Sequence, residues 1–388
     1  MLSFIKEEKK VEYLELIYDL VFVYMIGRNN AFLGHIENGF VSANAFIAYV
    51  LCTLAIIQIW SFTTFYINMF GRNGVRDHVF LCVNMYLMFY VGQATRLDWS
   101  NYQMQYHIAW ALILINIGVQ YVIELRNHQM DVWNRDTIKR MAVTLFAESA
   151  LALSAAFVPE NLVAPISFGA IGLGMLLTSI VNRKSPGKTV DFAHLTERAM
   201  LYVVFTFGEM IIEISSYFVS DGSFSWNVIY YSLMGFLIVV GLFMSYEMIY
   251  DHLLDRDRHD NGMIYMLIHI FIIFGLNNIT ASLEFMREEE VALIPKMIFM
   301  VVSVIIYYGF LFSIGKYAKK TCRIDTPFIL RLTAATAGFA LLMMLFRETS
   351  AAHILITVVY VWSIFGVLWR AAKMVNQEEL AAREAASA

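Results

Sequence analysis

Stretches of about twenty predominantly apolar residues recur along this chain, and a helix of that length crosses the hydrocarbon core of a bilayer. They fall near residues 11–33, 41–66, 78–96, 105–125, 139–158, 161–182, 196–219, 226–250, 262–281, 294–315, 328–346 and 352–372. In hydrocarbon every backbone polar group must be satisfied within its own segment or by a closed sheet. The reading is therefore all-α: a polytopic helical membrane protein of about 12 transmembrane helices. Composition excludes the soluble classes, because 59% of the 388 residues are hydrophobic and 15% charged, against about 45–50% and about 25% in soluble domains. The first, seventh and ninth stretches are the most polar.

The basic residues test that count. With a cytoplasmic N-terminus, 23 of the 28 Lys and Arg residues fall in inner segments. Four (Arg96, Arg287, Lys296 and Arg347) fall in outer loops, and Arg28 lies inside the first span. Inner loops of membrane proteins are enriched in Lys and Arg in this way, so both termini are expected in the cytoplasm. Adding or removing one span would scramble the pattern. The outer loop "LEFMREEEVAL" is acidic and is read as a solvated loop, with concentration of cations as the alternative. Cys52, Cys82 and Cys322 suggest no disulfide framework. The charged start "MLSFIKEEKK" does not read as a removable signal peptide.

Six spans precede residue 183 and six follow it, which invites a search for a repeat. Glu15 matches Glu197 at an offset of 182, "YINMFGR" matches "YDHLLDR" at 184, and "YLMFYVG" matches "HIFIIFG" at 183. Six helices per unit is an even number, so the halves are expected to run parallel. The expected organisation is a first six-helix repeat (1–182), a cytoplasmic linker with Pro186 and Gly187 (183–195), a second repeat (196–375) and a short charged tail (376–388).

Polar residues inside the spans carry the functional reading. Glu12, Glu15 and Asp19 stand at i, i+3 and i+7, one face of a helix that Phe22 and Ile26 continue. That face is expected against other helices or a wet path. Arg28 lies well round the helix from Asp19 and close enough to the outer edge to snorkel. The seventh span carries His194, Glu197 and Arg198 near its inner end, with Glu209 and Glu213 deeper as an i, i+4 pair. Glu148 lies near the middle of the fifth span and His269 in the ninth. By the repeat offset Glu209 matches Gly27, beside Arg28, so a cross-repeat Glu209–Arg28 pair is an expectation. A charge at depth costs about 2.5–3.5 kcal/mol on insertion scales. The competing readings are that interfacial acids are simply wet, and that Glu148 and Glu209 are neutral or paired helix glue.

His194 and Glu197 have metal-ligand spacing, but interface residues produce that pattern often, and no metal or cofactor is assigned. "YDHLLDRDRHD" is read as a solvated, salt-bridged turn. No phosphate-binding Gly-rich loop, serine nucleophile elbow or HExxH occurs, so no catalytic residue is assigned. Topology alone explains the basic inner loops, and nucleic acid is not an expected partner.

"VEYLELIYDLVFVYMI", "IWSFTTFYINMFGRNGVRDHVF" and "HLTERAMLYVVFTFGEMII" resemble the bacterial low temperature requirement protein A family. The matching positions are Glu15, Asp19, His194, Glu197, Arg198, Gly208 and Glu209; Ile17-Tyr18 and Phe207 depart from the pattern, and "FGRNGVRD" is less acidic than usual. The resemblance implies a multi-pass protein of the bacterial plasma membrane, linked by name to growth in the cold, and implies no substrate. A fainter likeness to six-plus-six potassium channels is an analogy, because the Arg-x-x-x-Phe-Ser lead is missing. The expected function is a transporter or channel for a small solute or ion, with Glu15, Asp19, Arg28, Glu148, His194, Glu197, Arg198, Glu209 and Glu213 along the path. An intramembrane or lipid-modifying enzyme, or a membrane sensor, are the alternatives. Membrane lipids and the solute are the expected partners, and oligomeric state is not legible.

Overall fold

The computed structural model describes residues 10–93, 99–126, 130, 132–184, 190–215, 225–322 and 326–387. Among the described residues the chain folds into twelve helices. These are α1 (Tyr13–Asn29), α2 (Ala43–Phe70), α3 (Val75–Gln93), α4 (Trp99–Glu124), α5 (Val132–Ala155) and α6 (Glu160–Lys184). They continue as α7 (Phe192–Ser215), α8 (Trp226–Glu247), α9 (Met263–Phe285), α10 (Leu293–Ser313), α11 (Thr326–Leu345) and α12 (Ser350–Ser387). Eight are long and apolar enough to cross a membrane: α2, α4, α6 and α8 to α12. By that measure α1, α3, α5 and α7 fall short, and three of them carry the acids and arginine singled out above. Helix α12 runs on through the charged tail as far as Ser387. The centre of the expected linker, residues 185–189, lies outside the described residues.

The chain divides into two compact units. The first comprises Met1–His35, Ala43–Tyr202 and Arg256–Ile270. Here α2 is mostly buried, α4 packs on α3 and α5, α5 on α6, and α1 on α2 and α3. Small residues and polar side chains key these helices together. Phe146 of α5 fills the space at Gly118 of α4. Ser149 donates to the Ala111 carbonyl at 3.1 Å, and His107 pairs with Ser167 of α6 at 2.8 Å. At one end of α2, α3 and α4, Glu124 is clamped by Arg76 and, at 3.5 Å, by Arg72. Asp77 accepts from the Arg72 backbone N–H at 2.8 Å and turns the chain from α2 into α3. Arg258 and Asp260, 3.7 Å apart, form a salt bridge in the turn where one was expected.

The second unit comprises Ile36–Ser42, Val203–Asp255 and Phe271–Ala388. It opens on a hairpin, β1 (Ile36–Glu37) and β2 (Phe40–Val41). Asn38 (φ 53°) and Gly39 (φ 82°) turn it, the left-handed pair a two-residue type I′ loop requires. The Gly39 carbonyl accepts from Ala292 N–H at 2.7 Å and seats the hairpin before α10. Helix α8 packs along α12, where Trp362 donates to the Leu237 carbonyl at 3.1 Å. Tyr307 of α10 donates to the Leu242 carbonyl at 2.8 Å. Its backbone presses on Gly275 of α9, where a β-carbon would sit 3.0 Å from Tyr307 N. Between α10, α11 and α12 opens an apolar cavity of about 690 Å³, with Tyr308, Thr336 and Tyr360 among its lining.

Candidate functional site

Helix α1 and the part of α7 that belongs to the first unit supply the centre of the site. On α1 the i, i+4 pair Glu15 and Asp19 faces inward, with Phe22 and Ile26 buried along the same stripe, as the spacing predicts. On α7 the i, i+4 pair His194 and Arg198 presents a matching face. The start of α7 is set by Asp191, whose carboxylate accepts from the His194 backbone N–H at 3.2 Å. Asn68 of α2 ties down the same turn: its amide donates to the Asp191 carbonyl at 2.9 Å and accepts from Asp191 N–H at 3.1 Å.

Arg198 bridges the two acids. Its guanidinium lies 2.5 Å from Asp19 Oδ1 and 3.1 Å from Glu15 Oε2. His194 Nε2 stands 3.9 Å from the same Glu15 oxygen, and its Nδ1 pairs with Asn68 at 3.0 Å. Asp19 also accepts from the Trp60 indole at 2.7 Å, and Trp60 stacks on Tyr202 with ring centroids 4.1 Å apart. Asp19 and Arg198 have no solvent exposure, while Glu15 retains 5% and His194 2%. Two carboxyls thus share one guanidinium in a site sealed by Trp60 and Tyr202. An unpaired charge there would carry its full desolvation cost.

Beside this ladder runs a second polar chain. Tyr18 pairs with Thr63 of α2 at 2.9 Å and accepts from Asn84 of α3 at 3.4 Å, and Asn84 accepts from Asn116 of α4 at 2.8 Å. Hydrogen-bonding side chains therefore continue from α1 across α2, α3 and α4.

The other candidates of the sequence reading are placed apart. Arg28 is exposed and donates to Tyr24 of its own helix at 3.1 Å, and Asp19 takes Arg198 as its partner. Glu197 is half-buried on α7. Glu148 is fully buried on α5. His269, also fully buried, hydrogen-bonds the Tyr265 carbonyl at 2.8 Å. Glu209 and Glu213 are half-buried in the part of α7 that belongs to the second unit, where Glu284 of α9 is within electrostatic reach of Glu213. Among the described residues no three His, Cys, Asp or Glu side chains converge as metal ligands would.

Sequence reasoning missed Trp60, Asn68, Asp191 and Tyr202. Asp191 had a local signal, an acid three residues before His194 at a helix start. Trp60 and Tyr202 had none, because an aromatic residue in an apolar span reads as packing.

No curated protein and no solved structure matches the chain. The sequence profile of the bacterial low temperature requirement A protein (LtrA) matches residues 10–363, nearly the whole length, and takes in both halves of the ladder on α1 and α7. This many-helix membrane protein belongs to the bacterial low temperature requirement A (LtrA) family.

Proposed function

We propose that the protein is a transporter or channel for a small solute or ion. Its path would use the carboxyls of α1 and α7, the buried Glu15 and Asp19 and the half-buried Glu197, Glu209 and Glu213, with His194 and Arg198 beside the first two. The observation that carries this reading is the ladder itself. Burying Asp19, Glu15 and Arg198 together is a costly way to hold α1 to α7, since apolar side chains of similar volume stabilise such an interface equally well or better. Ionisable groups inside a membrane domain point to a pathway or a relay. The polar chain from Tyr18 to Asn116 supports the same view, because it extends hydrogen-bonding groups through the unit's interior.

The finer organisation goes with this proposal: two parallel six-helix repeats at 1–182 and 196–375, and both termini in the cytoplasm. The common offset of 182–184 residues supports the repeat, and the Lys and Arg bias supports the orientation. The test is flux into liposomes holding the purified protein, under imposed ion and pH gradients, comparing wild type with Asp19→Asn and Glu209→Gln. Movement lost in the variants supports the path; movement unchanged in both refutes it.

One observation favours a second reading, an enzyme acting on lipid. His194 stands beside Glu15, held by Asn68, in the manner of an oriented base. Conversion of copurifying lipid that His194→Gln abolishes would select that reading over transport.

A further inference from the structure

Glu148 takes no part in the ladder, yet it is more isolated than any of the ladder's acids. It has no solvent exposure, and neither carboxyl oxygen has a hydrogen-bond partner. Gln58 of α2, 2% exposed, is held with its amide nitrogen donating to the Ile171 carbonyl at 3.1 Å. That bond fixes the amide's orientation and leaves Oε1 without a partner. Both side chains converge on Gly174 of α6, where a β-carbon would overlap the Glu148 carboxyl and the Gln58 amide nitrogen. One turn further along α6, Thr178 carries another buried, unpartnered hydroxyl.

The helices packed on α5 are α4 and α6, and α2 brings Gln58 to the same spot. Among their described residues no charged or titratable group acts on Glu148. Both Glu148 oxygens are therefore left without a hydrogen bond or a cation, and the nearest polar neighbour at Gly174 is the Gln58 amide nitrogen, which already donates to Ile171. A carboxylate alone in so dry a place is strongly unfavourable unless something positive joins it. A proton on Glu148 would convert one oxygen into a donor, and a hard monovalent ion would take the carboxylate oxygens as its ligands.

We infer that the Glu148 carboxyl, seated on Gly174 beside Gln58, is an exchangeable binding site for a small cation, a proton or a dehydrated monovalent metal ion. The site's use in coupling rests on the transport reading. Its occupancy is measured without flux, so either can fail alone.

The experiment treats the purified full-length protein in liposomes with dicyclohexylcarbodiimide. The reagent adds to an un-ionised carboxyl: the carboxyl oxygen bonds the carbodiimide carbon, the proton moves to nitrogen, and acyl migration leaves a stable N-acylurea with no leaving group. Peptide mass spectrometry should find the adduct on Glu148, formed severalfold more slowly as pH rises from weakly acidic to alkaline. Slowing by pH alone identifies a proton site, and added slowing by Na⁺ at fixed pH identifies a metal ion as competitor; both support the inference. A rate that neither condition changes overturns it, leaving Glu148 a locked, neutral helix contact. Should the reagent not reach the site, infrared difference spectra of wild type against Glu148→Gln decide. An un-ionised carboxyl band that pH or Na⁺ alters supports the site, whereas a band neither alters, or no band, overturns it. Gly174→Ala, which crowds both side chains, should abolish the sensitivity while preserving helix content.

Discussion

Replacing Arg198 by methionine is the sharpest probe of the ladder. In the folded protein its guanidinium, without solvent exposure, stands 2.5 Å from Asp19 and 3.1 Å from Glu15. Methionine approximates the stem but supplies no charge, so two buried acids lose their only shared cation. Removing one partner of a buried pair costs about 3–5 kcal/mol, and the upper part of that range is expected because two acids depend on Arg198. Asp19→Asn is milder. Glu15 still faces Arg198, and the amide oxygen still accepts from Trp60, so the loss is that of a charged hydrogen bond, about 1.5–3 kcal/mol. The double variant should then cost less than the sum of the singles by about 2–3 kcal/mol, the coupling expected of directly touching groups. The assay is equilibrium unfolding of each variant in lipid bicelles, assembled into a double-mutant cycle. A loss below about 1 kcal/mol for Arg198→Met, the scale of an exposed ion pair, would refute the claim that this charge is buried and shared. So would strict additivity.

Further outcomes follow from single contacts. Trp60→Phe keeps the stack on Tyr202 but removes the donor 2.7 Å from Asp19, so unfolding should cost about 1.5–3 kcal/mol. Tyr202→Leu, which removes the stack, should lose about 0.5–1.5 kcal/mol beyond its lost buried area; no loss beyond that area would contradict a contribution from the stack. Gly39→Ala should destabilise by about 1 kcal/mol or more, because φ is +82° and its β-carbon would meet that of Ala292 at 3.0 Å. A neutral result in thermal unfolding would remove the hairpin's role in seating α10. Cys322 lies between α10 and α11, outside both spans, and partial burial raises its thiol above the ordinary range. Its thiolate fraction at neutral pH is therefore small, and alkylation should keep accelerating with pH beyond the point where an exposed cysteine has levelled off. With a cytoplasmic C-terminus, a membrane-impermeant reagent should label Cys322 from the inner face only; labelling from outside would invert the proposed orientation.

Much of the site was legible before any coordinates. The i, i+3 and i+7 spacing of Glu12, Glu15 and Asp19 already placed them on one helical face, and His194 and Arg198 already stood together near the inner end of the seventh span, though not as a pair. Their cost in an apolar setting already marked both helices as inward-facing. Azimuth already separated Arg28 from Asp19, and Arg28 indeed reaches Tyr24. Other elements escaped although their signals were present. Asn38-Gly39 between short apolar runs is a hairpin signature, hidden here between two much stronger helical signals.

Periodicity, length and composition determine the helices, because each backbone satisfies its own hydrogen bonds and its polar face must find company. They cannot determine which face meets which. Glu15 is 179 positions or more from its partners on α7, and choosing Arg198 for Asp19 took the packing of α1, α2 and α7 around Trp60 and Tyr202. The isolation of Glu148 is likewise a tertiary fact. Only the approach of α2 and α6 at Gly174 leaves its carboxyl unpartnered beside a glycine and an amide rather than beside an arginine, and no spacing along one chain records that meeting of three helices.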